Sequence, residues 1–202
     1  NSPDNGGHYV VDVIEGKNNE NKVGFWIATN KTIGFYDPET SQLNNKIDLS
    51  KELLTKNNIS TIKYHDHILY IATRVGMYAY DIKEKIKRKL PELTTTSDIG
   101  PFNLQEATKT YNLYISEQNK LYFGTNDGVF SINIDNIKAY ISGIKNLPSY
   151  QLILNNLSVW NFFFTDGKLY VVSNQGLHVI DTVKHSGEFL FGISDYFENT
   201  SD

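Results

Sequence analysis

Four short segments with the same order of apolar and polar positions recur along the chain. They read FWIATNKTIGFYD, LYIATRVGMYAYD, LYFGTNDGVFSIN and LYVVSNQGLHVID, and they begin at residues 25, 69, 121 and 169. The first four positions of each copy are apolar without alternation, which is typical of a strand that is covered on both faces. Thr or Ser then closes the strand, a turn follows, and a second strand runs on to Asp or Asn.

The turn inside each copy contains glycine in three cases, at Gly76, Gly128 and Gly176. Glycine adopts a positive φ at little cost, so these positions predict tight hairpin turns. Thr32 takes this place in the first copy, and a different turn is therefore expected there.

A further strand is predicted on either side of each two-stranded core. The preceding, more apolar strands are placed at residues 9–15, 59–65, 111–116 and 159–165. The following, more polar strands are placed at residues 46–49, 85–90, 137–141 and 188–191. The chain is thus expected to form four units of four antiparallel strands, at roughly residues 8–50, 58–91, 110–144 and 157–192. Only residues 83–89 have a composition compatible with a helix, and they are equally compatible with a charged outer strand.

This repeat predicts an all-β fold, namely a β-propeller made of four-stranded antiparallel blades, with four blades present. The inner strands of a propeller blade are sandwiched between neighbouring blades, which matches the apolar second strand and the polar fourth strand. An up-and-down barrel is the competing architecture, but its strands have one buried face and alternate apolar with polar residues. The four blades form either a closed ring or part of a larger one. The second is favoured, because the first and last blades otherwise expose large apolar faces.

The two-stranded core resembles the two-component regulator propeller repeat. That repeat follows the pattern leucine-tryptophan-isoleucine-glycine-threonine, a turn, glycine-leucine, and then tyrosine-aspartate. The copies at residues 69–81 and 121–133 are similar to it, and Trp26 supplies the tryptophan in the first copy. Val172 and Ser173 depart from the glycine-threonine pair in the last copy. The resemblance implies a sensor region of a membrane-bound histidine kinase, and therefore a periplasmic or extracellular location.

Composition narrows the classes of partner. The chain has 202 residues, a formal net charge of −4 and no cysteine. The negative charge gives no support for nucleic-acid binding, and the lack of cysteine excludes disulfides and thiolate metal sites. No apolar run is long enough for a membrane span, and no phosphate-binding loop or other cofactor motif is present. The expected partner is a protein, a small molecule or a glycan, and further blades or another chain complete the ring if it is open.

The candidate binding residues lie in the turns between the second and third strands of each unit. In a propeller these turns and the connections between blades meet at one rim, so residues 91–110 and 145–157 belong to the same face. Arg74 is the preferred candidate, because asparagine-aspartate-glycine and asparagine-glutamine-glycine are ordinary turn sequences. The other candidates are Asn30, Asn126, Asp127, Asn174 and Gln175, with Lys31 beside them.

No catalytic residue, metal site or cofactor is assigned. His65 and His67 are two residues apart at a predicted hairpin, but no third metal ligand is close in sequence. The favoured function is a non-catalytic binding, sensing or interaction module whose rim loops recognise a ligand or partner. A propeller lyase or hydrolase with a site at the channel mouth is one alternative. A structural scaffold within a larger assembly is the other.

Overall fold

Four antiparallel sheets of four strands make up the computed structural model, which describes residues 9–53, 58–90, 109–144 and 150–192. The first sheet contains β1 (Val10–Lys17), β2 (Val23–Thr29), β3 (Thr32–Asp37) and β4 (Gln42–Asp48), and the second contains β5 (Ile59–His65), β6 (Ile68–Thr73), β7 (Gly76–Asp81) and β8 (Ile86–Lys89). The third contains β9 (Thr110–Ile115), β10 (Lys120–Thr125), β11 (Gly128–Asn133), the helix α1 (Ile134–Ile141) and β12 (Gln151–Asn155). The fourth contains β13 (Val159–Thr165), β14 (Lys168–Ser173), β15 (Gly176–Asp181) and β16 (Ser186–Gly192).

The sheets are arranged as successive blades of a β-propeller. In every sheet the strands are hydrogen-bonded in chain order, so each sheet is an up-and-down meander. The first strands of consecutive sheets contact each other, β1 with β5, β5 with β9 and β9 with β13. The first strands therefore line the centre and the fourth strands lie at the outside, as the sequence predicts. The predicted β-propeller of four-stranded blades is confirmed.

The core lies between the blades rather than inside any one of them. The first and third positions of each copy share one face of the blade, which we call the leading face; these residues are Phe25 and Ile27, Leu69 and Ile71, Leu121 and Phe123, Leu169 and Val171. The second and fourth positions share the opposite, trailing face; these residues are Trp26 and Ala28, Tyr70 and Ala72, Tyr122 and Gly124, Tyr170 and Val172. Each of the three buried clusters joins the trailing face of one blade to the leading face of the next.

Burial of the second strand differs between inner and terminal blades. Every residue of β6 is buried, and so are five of the six residues of β10, as a doubly covered strand requires. In β2 and β14, by contrast, buried residues alternate with exposed or half-buried ones. The prediction of a strand covered on both faces is therefore correct for the inner blades and wrong for the terminal blades, which have a neighbouring blade on one side only.

The third blade corrects one strand assignment. Residues 137–141, predicted as the fourth strand of this unit, belong to the helix α1, and the fourth strand is β12, which pairs with β11. Ile134, Ile137 and Ile141 are the buried positions of the helix, a spacing of three and four residues that fits a helical period. Asn133 caps the helix, because its side chain accepts a hydrogen bond from Asp135 N. Residues 83–89, the predicted helix-compatible stretch, instead lead into the strand β8.

The polar positions shared by the copies hold the turns together. Thr73 Oγ1 accepts from Val75 N and donates to Gly76 O, and Thr125 and Ser173 make equivalent bonds in their blades. Gly76, Gly128 and Gly176 have φ values of 115°, 150° and 135°, as predicted. In the first copy Thr32 stands in place of glycine, and its hydroxyl lies 2.9 Å from that of Thr29. Thr29 Oγ1 donates to Thr32 O and accepts from Lys31 N, so the bonds that close this turn are the same as in the other copies. The predicted difference lies in the backbone, because Thr32 does not have the positive φ of the three glycines.

Candidate functional site

One rim of the propeller gathers the turns between the second and third strands together with the starts of the first strands. Ile59 N donates to Asn30 O, which joins the turn of the first blade to the first strand of the second. Within a blade, the same turn is bonded to the residue before the first strand: Asn30 N donates to Tyr9 O, Arg74 N to Asn58 O and Asn174 N to Ser158 O. We call this surface the upper rim. All six predicted binding residues lie on it, distributed over the four blades.

Arg74 is the most accessible cation of this set. Its side chain is exposed at the tip of the turn between β6 and β7. Among the described residues, no hydrogen-bond or ion-pair partner of its guanidinium is found. A planar guanidinium with five donors is suited to carboxylate, phosphate or sulfate groups, and it also stacks on sugar or aromatic rings.

Asn30 and Asn126 each carry an amide oxygen that is buried without a hydrogen-bond partner in the part of the chain that the structure describes. Asn30 is 6% exposed, and its backbone is held on both sides, by Tyr9 O and by Ile59 N. Buried polar atoms are nearly always paired in folded proteins, so an unpaired amide oxygen at a rim is a marker for a ligand or an ordered water. These two residues and Arg74 occupy equivalent turns of three successive blades.

The remaining predicted residues have structural roles on the upper rim. Asn174 Oδ1 accepts from Ser158 N at 2.8 Å, and Gln175 Nε2 donates to Asn156 O at 2.5 Å. Both side chains thereby fix the entry of the chain into β13. Lys31 Nζ donates to Leu53 O at 3.1 Å, and burial lowers its pKa. The backbone N–H of Asp127 is bound by the turn hydroxyl of Thr125. That these residues bind a ligand stays a prediction, and the turn sequences alone do not separate amides that hold the turns from amides whose oxygens lack a partner among the described residues.

The opposite, lower rim contains the pair of histidines that the sequence drew attention to. Asp66, between them, accepts a hydrogen bond from Lys138 Nζ at 2.7 Å, and this bond holds the pKa of the carboxyl below its ordinary value. His67 Nδ1 is buried without a partner among the described residues. Within the same residues, no group of three His, Asp or Glu side chains could hold a metal ion. The aspartate therefore ties α1 to the hairpin of the second blade.

Buried polar side chains also occur in the body of the blades. Tyr122 Oη lies 2.9 Å from His185 Nδ1 and 3.3 Å from Thr182 O, and burial raises its pKa to about 12. His178 is 3% exposed, neither ring nitrogen has a partner in the described ranges, and burial lowers its pKa. His178 and Tyr122 are therefore neutral, and both are buried between blades and away from the upper rim. They are packing groups rather than a proton-transfer pair.

The predicted long connection at residues 91–110 lies outside the described residues except for its last two positions, whereas the one at 145–157 contains β12. No helix in the described ranges is both long and apolar enough to cross a membrane.

A cavity of about 500 Å³ lies on the trailing face of the fourth blade, lined by residues that include Lys168, Val179 and Glu188. No sequence pattern predicted this cavity.

Comparison with known proteins identifies the fold. No protein-family model matches the chain, and no curated protein sequence is similar to it. Among solved structures, the extracellular domains of the hybrid two-component systems BT3049 and BT4673 from B. thetaiotaomicron match with TM-scores of 0.58 and 0.60, at 14% and 16% identity. They cover 91% and 92% of this chain, which spans only 24% and 22% of theirs. The Pan2 WD40 domain from Neurospora crassa matches with a TM-score of 0.60 at 9% identity, over 94% of this chain and 52% of its own. At these identities the matches establish one property, that the chain has the fold of a β-propeller with four blades.

Proposed function

We propose that the chain is a non-catalytic sensing or interaction module that recognises its ligand or partner at the upper rim. The observation that carries this proposal is a set of three turns: among the described residues, the exposed side chain of Arg74 has no partner and the buried amide oxygens of Asn30 and Asn126 are unpaired. Recognition requires hydrogen-bond donors and acceptors held on rigid hairpins. It does not require a pair of carboxylates with perturbed pKa values, as an enzyme would.

The structural likeness to extracellular domains of two hybrid two-component systems supports a sensing role. It is also the support for a periplasmic or extracellular location. The chain spans about a quarter of those domains, so any signalling output belongs to a larger protein. The ligand class that best fits an exposed guanidinium and amide groups on the same rim is an acidic oligosaccharide, because carboxylate and hydroxyl groups satisfy both kinds of side chain.

The experiment is a binding screen on the chain, using an array of neutral and acidic oligosaccharides followed by calorimetric titration of the strongest one. Arg74→Ala is expected to weaken that binding by about tenfold or more, because it removes a charge-assisted contact. Lys83→Ala is the matched control, since Lys83 is an exposed cation on the lower rim. The two variants lose the same charge from opposite surfaces.

The upper-rim proposal fails if no oligosaccharide of the array binds, or if Lys83→Ala weakens binding as much as Arg74→Ala. Chromatography of the bound oligosaccharide after prolonged incubation tests the enzymatic alternative at the same time. An unchanged oligosaccharide is expected, and a cleaved product would replace the sensing function with a lyase or hydrolase.

A further inference from the structure

The leading face of the first blade is apolar, and no blade formed by the described residues covers it. Phe25 is 39% exposed, although Leu69, Leu121 and Leu169, at the same position of the other copies, are each 0% exposed. Around Phe25 the same face presents further large apolar side chains; these are Val13, Val23 and Leu43, at 51%, 53% and 65% exposure. The first blade therefore has the surface of an inner blade without the neighbour that covers it.

The trailing face of the fourth blade is its counterpart at the other end. Tyr170 is half-buried, although Trp26, Tyr70 and Tyr122, at the same position of the other copies, are each 0% exposed. Phe163, stacked on Tyr170 with ring centroids 4.9 Å apart, is 47% exposed, and Phe191 is 43% exposed. The cavity of about 500 Å³ opens on this same face, beside Val179. This end of the arc also lacks a covering blade.

Residue size at the fourth and tenth positions of the repeat follows one order inside the chain and the reverse order at the two open ends. Within the chain, a small residue at the fourth position of one copy is followed by a ring at the tenth position of the next; the pairs are Ala28 with Tyr78, Ala72 with Phe130, and Gly124 with His178. The first two of these pairs belong to shared buried clusters. At the open ends the order is reversed, because the fourth position of the last copy is Val172 and the tenth position of the first copy is Gly34. A larger trailing residue thus meets a leading face from which the ring is missing.

We propose that the trailing face of the fourth blade docks on the leading face of the first blade in a second copy of this chain. The contact continues the three blade interfaces already present, and the chain itself carries both complementary halves. Such a head-to-tail contact is heterologous, and two copies close it into a ring when the rotation allows. The chain spans 52% of the Pan2 WD40 domain, so two arcs supply the length of one complete propeller of that kind.

The test is the solution mass of the chain by light scattering, with one charged substitution on each open face. The wild-type chain is expected at twice its 23.0 kDa. Phe25→Asp and Phe163→Asp are each expected to be monomeric. Each substitution places a charge on one of the two apolar faces that form the contact, in both copies. An equimolar mixture of the two variants is expected to regain the dimer mass, since the intact trailing face of one still fits the intact leading face of the other.

Ile144→Asp is the matched control, because Ile144 is 79% exposed next to α1 and lies on neither open face. It is expected to remain dimeric, and circular dichroism of every variant checks that the strands are retained. A monomeric wild-type chain overturns the proposal, and it would mean that the open faces are covered by blades from elsewhere or by each other. A dimer that survives either face substitution, or variants that fail to complement, also overturns it. The result is independent of the upper rim, since no residue of that surface is changed.

Discussion

Two tyrosines at one repeat position provide a controlled test of what a buried hydroxyl contributes between blades. Tyr70 and Tyr122 are both 0% exposed and occupy the second position of neighbouring copies. The hydroxyl of Tyr122 is bonded to His185 Nδ1 and Thr182 O, whereas that of Tyr70 has no partner among the described residues. The two side chains therefore differ in hydrogen bonding while sharing burial and backbone setting.

Tyr122→Phe removes the bonded hydroxyl and leaves a buried carbonyl with one partner fewer. It is expected to lower the free energy of unfolding by about 1–2 kcal/mol. Tyr70→Phe removes a hydroxyl whose desolvation is not compensated, and it is expected to leave the free energy of unfolding unchanged or to raise it by up to about 1 kcal/mol. Both variants keep the ring, so no large cavity is created.

Urea unfolding followed by tryptophan fluorescence measures both changes. Trp26 is 0% exposed and reports on the interface between the first two blades. With a slope near 2 kcal/mol per molar urea, Tyr122→Phe is expected to shift the midpoint down by about 0.5–1 M at unchanged slope. Equal losses for the two variants, or a greater loss for Tyr70→Phe, would refute the reasoning.

Three further predictions concern buried charge, backbone conformation and the upper rim. Burial lowers the folded-state pKa of His178, so its contribution to stability is present above the ordinary pKa of about 6.5 and is lost as the pH falls through the lowered value. Between pH 7 and pH 5 the melting temperature of His178→Phe should therefore fall less than that of the wild-type chain. The other histidine with a lowered pKa, His185, is present in both proteins and does not affect the comparison. Gly176→Ala is expected to cost more than about 2 kcal/mol in urea unfolding, since its Cβ would lie 2.1 Å from a backbone oxygen at a φ of +135°, whereas Gly143→Ala, with nothing within 4 Å, should cost about 1 kcal/mol; equal costs would contradict this. Arg74→Ala is expected to change the free energy of unfolding by less than about 0.5 kcal/mol, so weaker binding by that variant would report a lost contact rather than a loss of folding. A larger change would mean that weaker binding no longer identifies Arg74 as a contact residue.

The repeat made most of the fold predictable. A strand that is apolar at four consecutive positions predicts burial on both faces, which favours stacked sheets over a barrel, and the two inner blades have this burial. The turns at the glycines and at the recurring aspartates were also predictable from the sequence. A positive φ and a carboxylate that accepts hydrogen bonds from nearby backbone N–H groups are local properties. Asp81, for example, accepts from Lys83 N and Glu84 N as a turn-opening aspartate does.

The sequence was sufficient to place the six candidate residues on one rim, but not to show which of their side chains are already engaged in hydrogen bonds. All six predicted residues lie on the upper rim because strand direction alone determines which turns share an end of the sheet. Whether an amide is available depends on what stands opposite it: Asn174 faces Ser158 N, whereas Asn126 Oδ1 faces no donor among the described residues. That distinction requires the packing between blades and their connections. The helix α1 was missed as well, although the spacing of Ile134, Ile137 and Ile141 fits a helical period in the sequence itself.

The sequence by itself determined the four units, their strand order, the glycine turns and the rim on which polar side chains gather, because each of these follows from local periodicity and backbone preference. The tertiary structure alone decided which apolar positions are covered. Phe25 and Leu69 hold the same place in the repeat, yet one is 39% exposed and the other 0%. Burial is a property of neighbours rather than of sequence position, and the first and last blades each lack one. The sequence predicted that the first and last blades expose apolar faces, but only the stacked blades show which side chains those faces contain.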